Sequence, residues 1–264
     1  MSFSVLIPAR LKSSRLPNKP LADIGGKPMV VRVAERASLA GAERVVVALD
    51  DPRVEEACQK HGIATIMTKA DHPTGTDRLA EAVTRLGLSD DDIVVNVQGD
   101  EPLMPIEVIQ QVAKLLEDSP DCAIATAAHP ITSVESFLNP NVVKVTIDAK
   151  GRALTFSRAP MPWPRDYLKS SEVGLPAGVP AYHHLGLYAY RVGFLKEFPT
   201  LAQAPIEKFE SLEQLRALYY GKKIVVAILD SDLPAGVDTQ EDLDRVRAVL
   251  AKACLLYTSD AADE

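Results

Sequence analysis

The first 120 residues alternate between short apolar runs and stretches patterned as amphipathic helices, and few folds accept that rhythm. Residues 3–7, 44–49, 63–67 and 93–97 are dense in Val, Ile and Leu and read as strands. Residues 28–39, 52–60, 77–86 and 106–116 read as helices, the first with proline in its opening turn and the second with Asp51 as its cap. Unbroken apolar runs of this length suit strands covered on both faces. The expected fold class is α/β, with a mainly parallel, Rossmann-like sheet.

From Ala123 the rhythm changes. Residues 123–128, 142–148, 153–157 and 185–190 read as strands with no full helix between them, and 158–182 is rich in Pro and Gly. Helix returns at 207–220, strand at 223–229, and a closing helix at 239–253, capped by Thr239. The expected organisation is an α/β core over 1–128, a β-rich insertion over 129–205 and a return to the core over 206–254. Residues 255–264 follow a finished helix, fit nothing before them and are set aside as a non-native tail.

The loop after the first strand is basic. Arg10, Lys12, Arg15 and Lys19 precede the first acid, Asp23, in a chain of net charge −7. Loops at the carboxyl ends of parallel strands are where open α/β sheets bind ligands. Four cations there suit an anion carrying several phosphates, a solvated basic turn being the plain alternative. A second segment, Val94 to Pro102, ends a buried strand in Gly99-Asp100-Glu101. Carboxylates opposite a basic loop suit a hard cation such as Mg²⁺. In the run from His72 to Glu81, Gly75 permits close backbone approach, Thr76 and Asp77 are candidate caps, and Arg78 is expected to face the same crevice. Asp238, just before the closing helix, reads as a helix-entry acid.

These segments carry a resemblance. Pro8-Ala-Arg-x-x-Ser-x-Arg-Leu-Pro-x-Lys-Pro-Leu21 resembles the N-terminal signature of cytidylyltransferases that activate acidic sugars. Asn96-Val-Gln-Gly-Asp-Glu-Pro102, Phe156-Ser-Arg-Ala-x-x-Pro-Trp163, and Gly236-Val-Asp-Thr-x-Glu-Asp242 narrow it to the CMP-Kdo synthetase family, Kdo being 3-deoxy-D-manno-octulosonate. The resemblance implies transfer of CMP from CTP to Kdo with release of pyrophosphate, for lipopolysaccharide synthesis. It places the nucleotide on Ala9, Arg10, Arg15, Lys19, Gly75, Thr76 and Arg78, and Mg²⁺ on Asp100 and Asp238. Arg10, Lys19, Asp100 and Asp238 are then the catalytic residues. Gln98, Arg158, His184, Tyr188, Glu213 and Gln214 would hold the sugar, with Arg158 on its carboxylate. The 129–205 insertion would carry part of the acceptor site and a homodimer surface. A sialic acid as acceptor, or a silent nucleotide-binding module, are the open alternatives.

Other classes fit less well. No GxGxxG follows the first strand and no GxxxxGK[ST] occurs. The acidic balance argues against a nucleic-acid binder. Without an apolar run of about 18 residues or a leader pattern, a cytoplasmic enzyme is expected. Cys58, Cys122 and Cys254 are scattered, so neither a disulfide framework nor a zinc site is indicated. Neighbours on a strand, His183 and His184 face opposite ways and form no chelate, and no other histidine pair has ligand spacing.

Overall fold

The computed structural model describes residues 2–13, 15–165 and 174–260, with side chains as far as Lys252. In chain order come β1 (Ser4–Ala9), a 3-10 turn (Lys19–Leu21), β2 (Asp23–Ile24), β3 (Lys27–Pro28), α1 (Met29–Ser38), β4 (Arg44–Leu49) and α2 (Pro52–Gln59). Next are β5 (Ala64–Met67), α3 (Gly75–Arg85), β6 (Ile93–Asn96), α4 (Ile106–Glu117), β7 (Ile124–Pro130), α5 (Val134–Leu138), β8 (Lys144–Ile147) and β9 (Ala153–Ser157). The chain continues through β10 (Tyr182–Arg191), α6 (Val192–Glu197), a second 3-10 turn (Phe198–Thr200), α7 (Pro205–Glu210), α8 (Gln214–Tyr219), β11 (Ile224–Ile228) and α9 (Gln240–Asp260). The class is mixed α/β with mainly parallel strands, as the alternation predicts. Among the described residues no helix is long and apolar enough to cross a membrane.

Two compact units form, and they part elsewhere than the sequence suggests. One joins Ser2–Gly87, Asn96–Ile109 and the chain from Pro234 onward; the other joins Leu88–Val95 and Gln110–Leu233. The expected boundaries at 128 and 205 are displaced because β7 pairs with both β10 and β11. Strands on either side of the supposed insertion therefore belong to one body.

In the first unit β1, β4 and β5 run parallel, with Ser4 opposite Arg44 and Val46 opposite Ala64. Val5, Leu6 and Ile7 are fully buried, as strands covered on both faces require. α1 begins one residue later than expected: Pro28 stands at the N-cap rather than in the first turn. α3 begins two residues earlier than expected. Its cap is Thr74, whose hydroxyl accepts from the Asp77 N–H, and not Thr76 or Asp77. A cluster of Leu16, Ile24, Met29, Val237, Leu243 and Val246 seals the basic loop against α1 and α9. α9 runs to Asp260, past the expected end at 253, so its backbone enters the segment set aside as a tail. The side chains of that segment, and its last four residues altogether, lie outside the described residues.

In the second unit β7 lies parallel to β11 and antiparallel to β10, while β8 pairs with both β10 and β9. The short helices α5 and α6 interrupt a region that reads as strand and loop. The expected helix over 207–220 is two helices, α7 and α8, because Ser211 takes a left-handed conformation (φ 53°) and stops the first. A buried ion pair bridges that break. Arg216 donates from Nε and Nη2 to the two oxygens of Glu207, at 2.9 and 2.6 Å, and its guanidinium lies 4.1 Å from the Phe198 ring centroid.

Removing one partner from a buried pair leaves the other charge uncompensated. Glu207→Ala is therefore expected to cost about 3–5 kcal/mol of stability, read from the denaturant midpoint. A loss below about 1 kcal/mol would show that the pair behaves like an exposed one.

Candidate active site

At the carboxyl end of β1 the chain forms a cleft of about 380 Å³, wholly within the first unit. Its lining includes Ala9, Arg10, Arg15, Lys19, Gly75, Gln98, Asp100 and Asp238. The centre is an ion cluster. Lys19 Nζ donates to Asp100 Oδ2 at 2.5 Å and to Asp238 Oδ1 at 3.0 Å, and Arg15 Nη2 reaches the same Asp238 oxygen at 3.0 Å. Burial pulls the Lys19 ammonium down, but the two carboxylates outweigh it and hold its pKa above the ordinary value. Among the described residues Arg10 Nη2 is buried with no hydrogen-bond partner, a donor available to an anion in the cleft.

Local structure explains these positions. Lys19 opens a 3-10 turn after Asn18, whose left-handed backbone (φ 55°) reverses the chain. The Val237 N–H donates to the Asp100 carbonyl at 2.8 Å, setting Asp238 beside Asp100. Asp242 then clamps the backbone at Asp238. Its carboxylate accepts from the Asp238 N–H, the Thr239 N–H and the Thr239 hydroxyl, while Thr239 Oγ1 accepts from the Asp242 N–H. This is a reciprocal capping box with Asp in place of the usual Glu. These bonds, with Arg245, hold the Asp242 carboxyl well below the usual carboxylate range. Gly99 allows β1 to pass close by, since a Cβ there would meet the Pro8 carbonyl oxygen at 2.9 Å.

Arg78 departs from its expected place. It is fully buried and does not line the cleft. Its Nη2 donates to Asp50 Oδ2 at 2.9 Å and its Nη1 to Thr68 Oγ1 at 2.5 Å. Asp50 in turn accepts from the Leu11 N–H at 3.2 Å, so Arg78 acts on the basic loop through Asp50. Nothing in the sequence marks Asp50, which simply follows a strand. Thr76 is buried in the first turn of α3 and is also absent from the lining. Glu101 is adjacent to Asp100: burial and the Asp100 charge push its carboxyl up to about 8, and its Oε2 has no partner among the described residues.

Five of the expected sugar residues lie in the second unit. Arg158 donates from Nε to the Glu210 carbonyl at 2.7 Å and from Nη1 to the Pro140 carbonyl at 3.0 Å. Its N–H and the Ser157 hydroxyl donate to the Glu210 carboxylate. His184 is buried, its Nε2 3.0 Å from Thr126 Oγ1, and its ring packs edge-on to Phe156. The His184 and Tyr188 rings lie 5.4 Å apart across a bulge in β10. Burial, aided by His183, lowers the His184 pKa to about 3, and burial raises the Tyr188 phenol. Gln214 is buried, its Nε2 without a partner among the described residues, while Glu213 stands just before α8.

His184 gives a pH test. Its folded pKa is depressed, so between the unfolded value and about 3 the unfolded chain binds a proton that the folded protein refuses. Stability then falls as pH drops through that window. From about pH 6 to about pH 5 the parent should lose about 1 kcal/mol more than His184→Gln, measured by urea unfolding. Parallel losses in the two proteins would place His184 in contact with water.

Comparison with known proteins matches this frame. A sequence profile described as cytidylyltransferase covers residues 4–224. The solved structure of a CMP:2-keto-3-deoxy-manno-octonic acid synthetase complexed with CTP is 41% identical, with a TM-score of 0.85, over 96% of this chain and 99% of that one. A cytidylyltransferase from Leptospira borgpetersenii serovar Hardjo-bovis (strain JB197) shares the fold at 17% identity and a TM-score of 0.62, over 95% of this chain and 87% of that one. With a profile spanning most of its length and this identity at near-complete coverage, the chain belongs to the cytidylyltransferase family and, within it, to the CMP-Kdo synthetases.

Proposed function

We propose that this protein transfers CMP from CTP to Kdo, giving CMP-Kdo and pyrophosphate, and so activates Kdo for lipopolysaccharide synthesis. The observation that carries the reading is the 41% identity, at nearly full coverage of both chains, to a synthetase solved with CTP. The cleft supports it. Arg10, Arg15 and Lys19 supply cations for a triphosphate, Ala9 and Gly75 line the same space, and Arg78 steadies the loop through Asp50.

The anomeric hydroxyl of Kdo attacks the α-phosphorus; its oxygen bonds to that phosphorus as the bond to the β-phosphate bridging oxygen breaks. Pyrophosphate leaves with that electron pair. Charge builds on the phosphate oxygens, where the preformed Lys19, Arg10 and Arg15 cations stabilise it. The sugar would be oriented by Gln98, Arg158, His184, Tyr188, Glu213 and Gln214, with the Arg158 guanidinium on the carboxylate. Asp100 and Asp238 are the proposed Mg²⁺ ligands. They pass a test of fit: both carboxylates converge on one ammonium, so their oxygens are already gathered about a single cation. When bound there, Mg²⁺ supplies Lewis-acid neutralisation of phosphate charge and eases loss of the acceptor proton. The reading includes a homodimer working in the cytoplasm.

Mixing the protein with CTP, Mg²⁺ and Kdo should release pyrophosphate; none released would leave a silent nucleotide-binding module. If N-acetylneuraminate served as well as Kdo, the acceptor assignment would fail while cytidylyl transfer survived. Lys19→Ala is expected to lower turnover by about 10²–10³. Asp100→Asn and Asp238→Asn should each weaken the Mg²⁺ dependence, and together be non-additive. Magnesium titrations of a single variant that superimpose on the parent would remove that residue as a ligand.

A further inference from the structure

His129 and His183 are 54 residues apart in sequence, yet the antiparallel register of β7 and β10 makes them directly opposed partners. Cross-strand partners present their side chains on one face of a sheet. His129 Nε2 lies 3.0 Å from His183 Nδ1 and 3.1 Å from Asp232 Oδ1, and all three atoms fall within 4.8 Å of one another. They line a cleft of about 400 Å³ within the second unit, whose lining shares no residue with the cleft around Lys19, and Asp230 lines it too.

With His129 neutral, the contacts here set lone pairs against one another, and either a proton on Nε2 or a metal ion resolves them. His129 Nδ1 lies 3.0 Å from the Pro130 carbonyl, which can only accept, so this nitrogen carries the proton. In the neutral ring Nε2 then presents a lone pair. It meets two atoms at once, and one of them, the Asp232 carboxylate oxygen, has only lone pairs to offer. The Leu233 N–H fixes that same oxygen at 2.8 Å. A histidine whose far N–H is anchored on a backbone carbonyl is the arrangement that orients imidazole toward a metal. The spacing agrees: ligands bonded at about 2.0–2.1 Å around tetrahedral zinc stand about 3.3 Å apart. Lys144, the other cross-strand partner of His183, points its ammonium at the carbonyls of Asn139, Val142 and Arg158.

We propose that His129 Nε2, His183 Nδ1 and Asp232 bind a divalent transition metal of the zinc class, with the cleft supplying a fourth ligand from water or Asp230. Two imidazoles and one carboxylate favour such a metal over Mg²⁺. The ion ties the 230–232 segment to β7 and β10. Zinc sites are often announced by close sequence spacing; here the strand register creates the site.

The test is zinc titration by calorimetry, using full-length protein and zinc chloride alone, with Co²⁺ absorption as the geometric readout. Parent protein and the Asp100→Asn/Asp238→Asn double variant should each bind one equivalent that His129→Ala and His183→Ala lack. Asp232→Asn, an exposed change that leaves the strands intact, should weaken binding at least tenfold and reduce the tetrahedral Co²⁺ bands. The proposal is overturned if the stoichiometry of the histidine variants equals the parent's. It also falls if the Asp100→Asn/Asp238→Asn variant binds no zinc, or if Asp232→Asn leaves affinity and spectrum unchanged.

Discussion

The Lys19 ammonium holds together two carboxylates that stand 81 and 219 residues away in sequence. Asp100 and Asp238, both bonded to the one ammonium, are like charges that would repel if left alone. One shared cation reverses that, and Arg15 adds a second on Asp238. The cluster is close to neutral as it stands, which leaves the Arg10 guanidinium, with its unpartnered Nη2, as the anion-seeking group beside it. On the proposed function, a polyphosphate and a hard cation would enter such a cleft together, because each offsets the charge the other brings.

Packing makes the ion cluster stiff. Leu16 anchors the basic loop in the same apolar cluster that buries Val237, the residue before Asp238. An acid and a loop cation from opposite ends of the chain are thus fixed by one set of apolar contacts. The Asp242 capping box fixes the Asp238 backbone a second time, and the Asp50–Arg78 pair fixes the loop base at Leu11. An apolar cluster, a capping box and a buried arginine thus each brace the site, and such bracing is what preorganised electrostatic stabilisation requires.

What could be read in advance was local. The strand positions, the basic loop, the acid at the end of a buried strand and the Thr239 cap each follow from neighbours a few residues away. What escaped depends on tertiary register. Arg78 faces inward because Asp50, 28 residues earlier, offers it a buried partner. The helix expected over 207–220 breaks at Ser211, and the Glu207–Arg216 pair that spans the break has no marker in spacing. His129 and His183 read as isolated histidines until β7 and β10 are aligned. Each miss is a pairing set by how helices, loops and strands meet in space, and no periodicity encodes that.

The same physics bears on how the proposed acceptor set would choose its sugar. With His184 pushed to about 3 and the Tyr188 phenol raised, both rings are neutral across the physiological range. Gln214 brings a buried amide whose Nε2 lacks a partner among the described residues. Against these stands one permanent cation, Arg158, whose guanidinium already braces the Glu210 and Pro140 carbonyls and so is held in one orientation. Arg158 would meet the carboxylate of the acid, while the neutral His184, Tyr188 and Gln214, with the Glu213 carboxylate, would meet its hydroxyls. A ligand with the carboxylate but the wrong hydroxyls would satisfy Arg158 and strand the neutral groups, and an unmade buried hydrogen bond costs about 1–3 kcal/mol. Several such losses multiply, so on the proposed reading selectivity among sugar acids would rest on the residues that face the hydroxyls, while the arginine would set only the class.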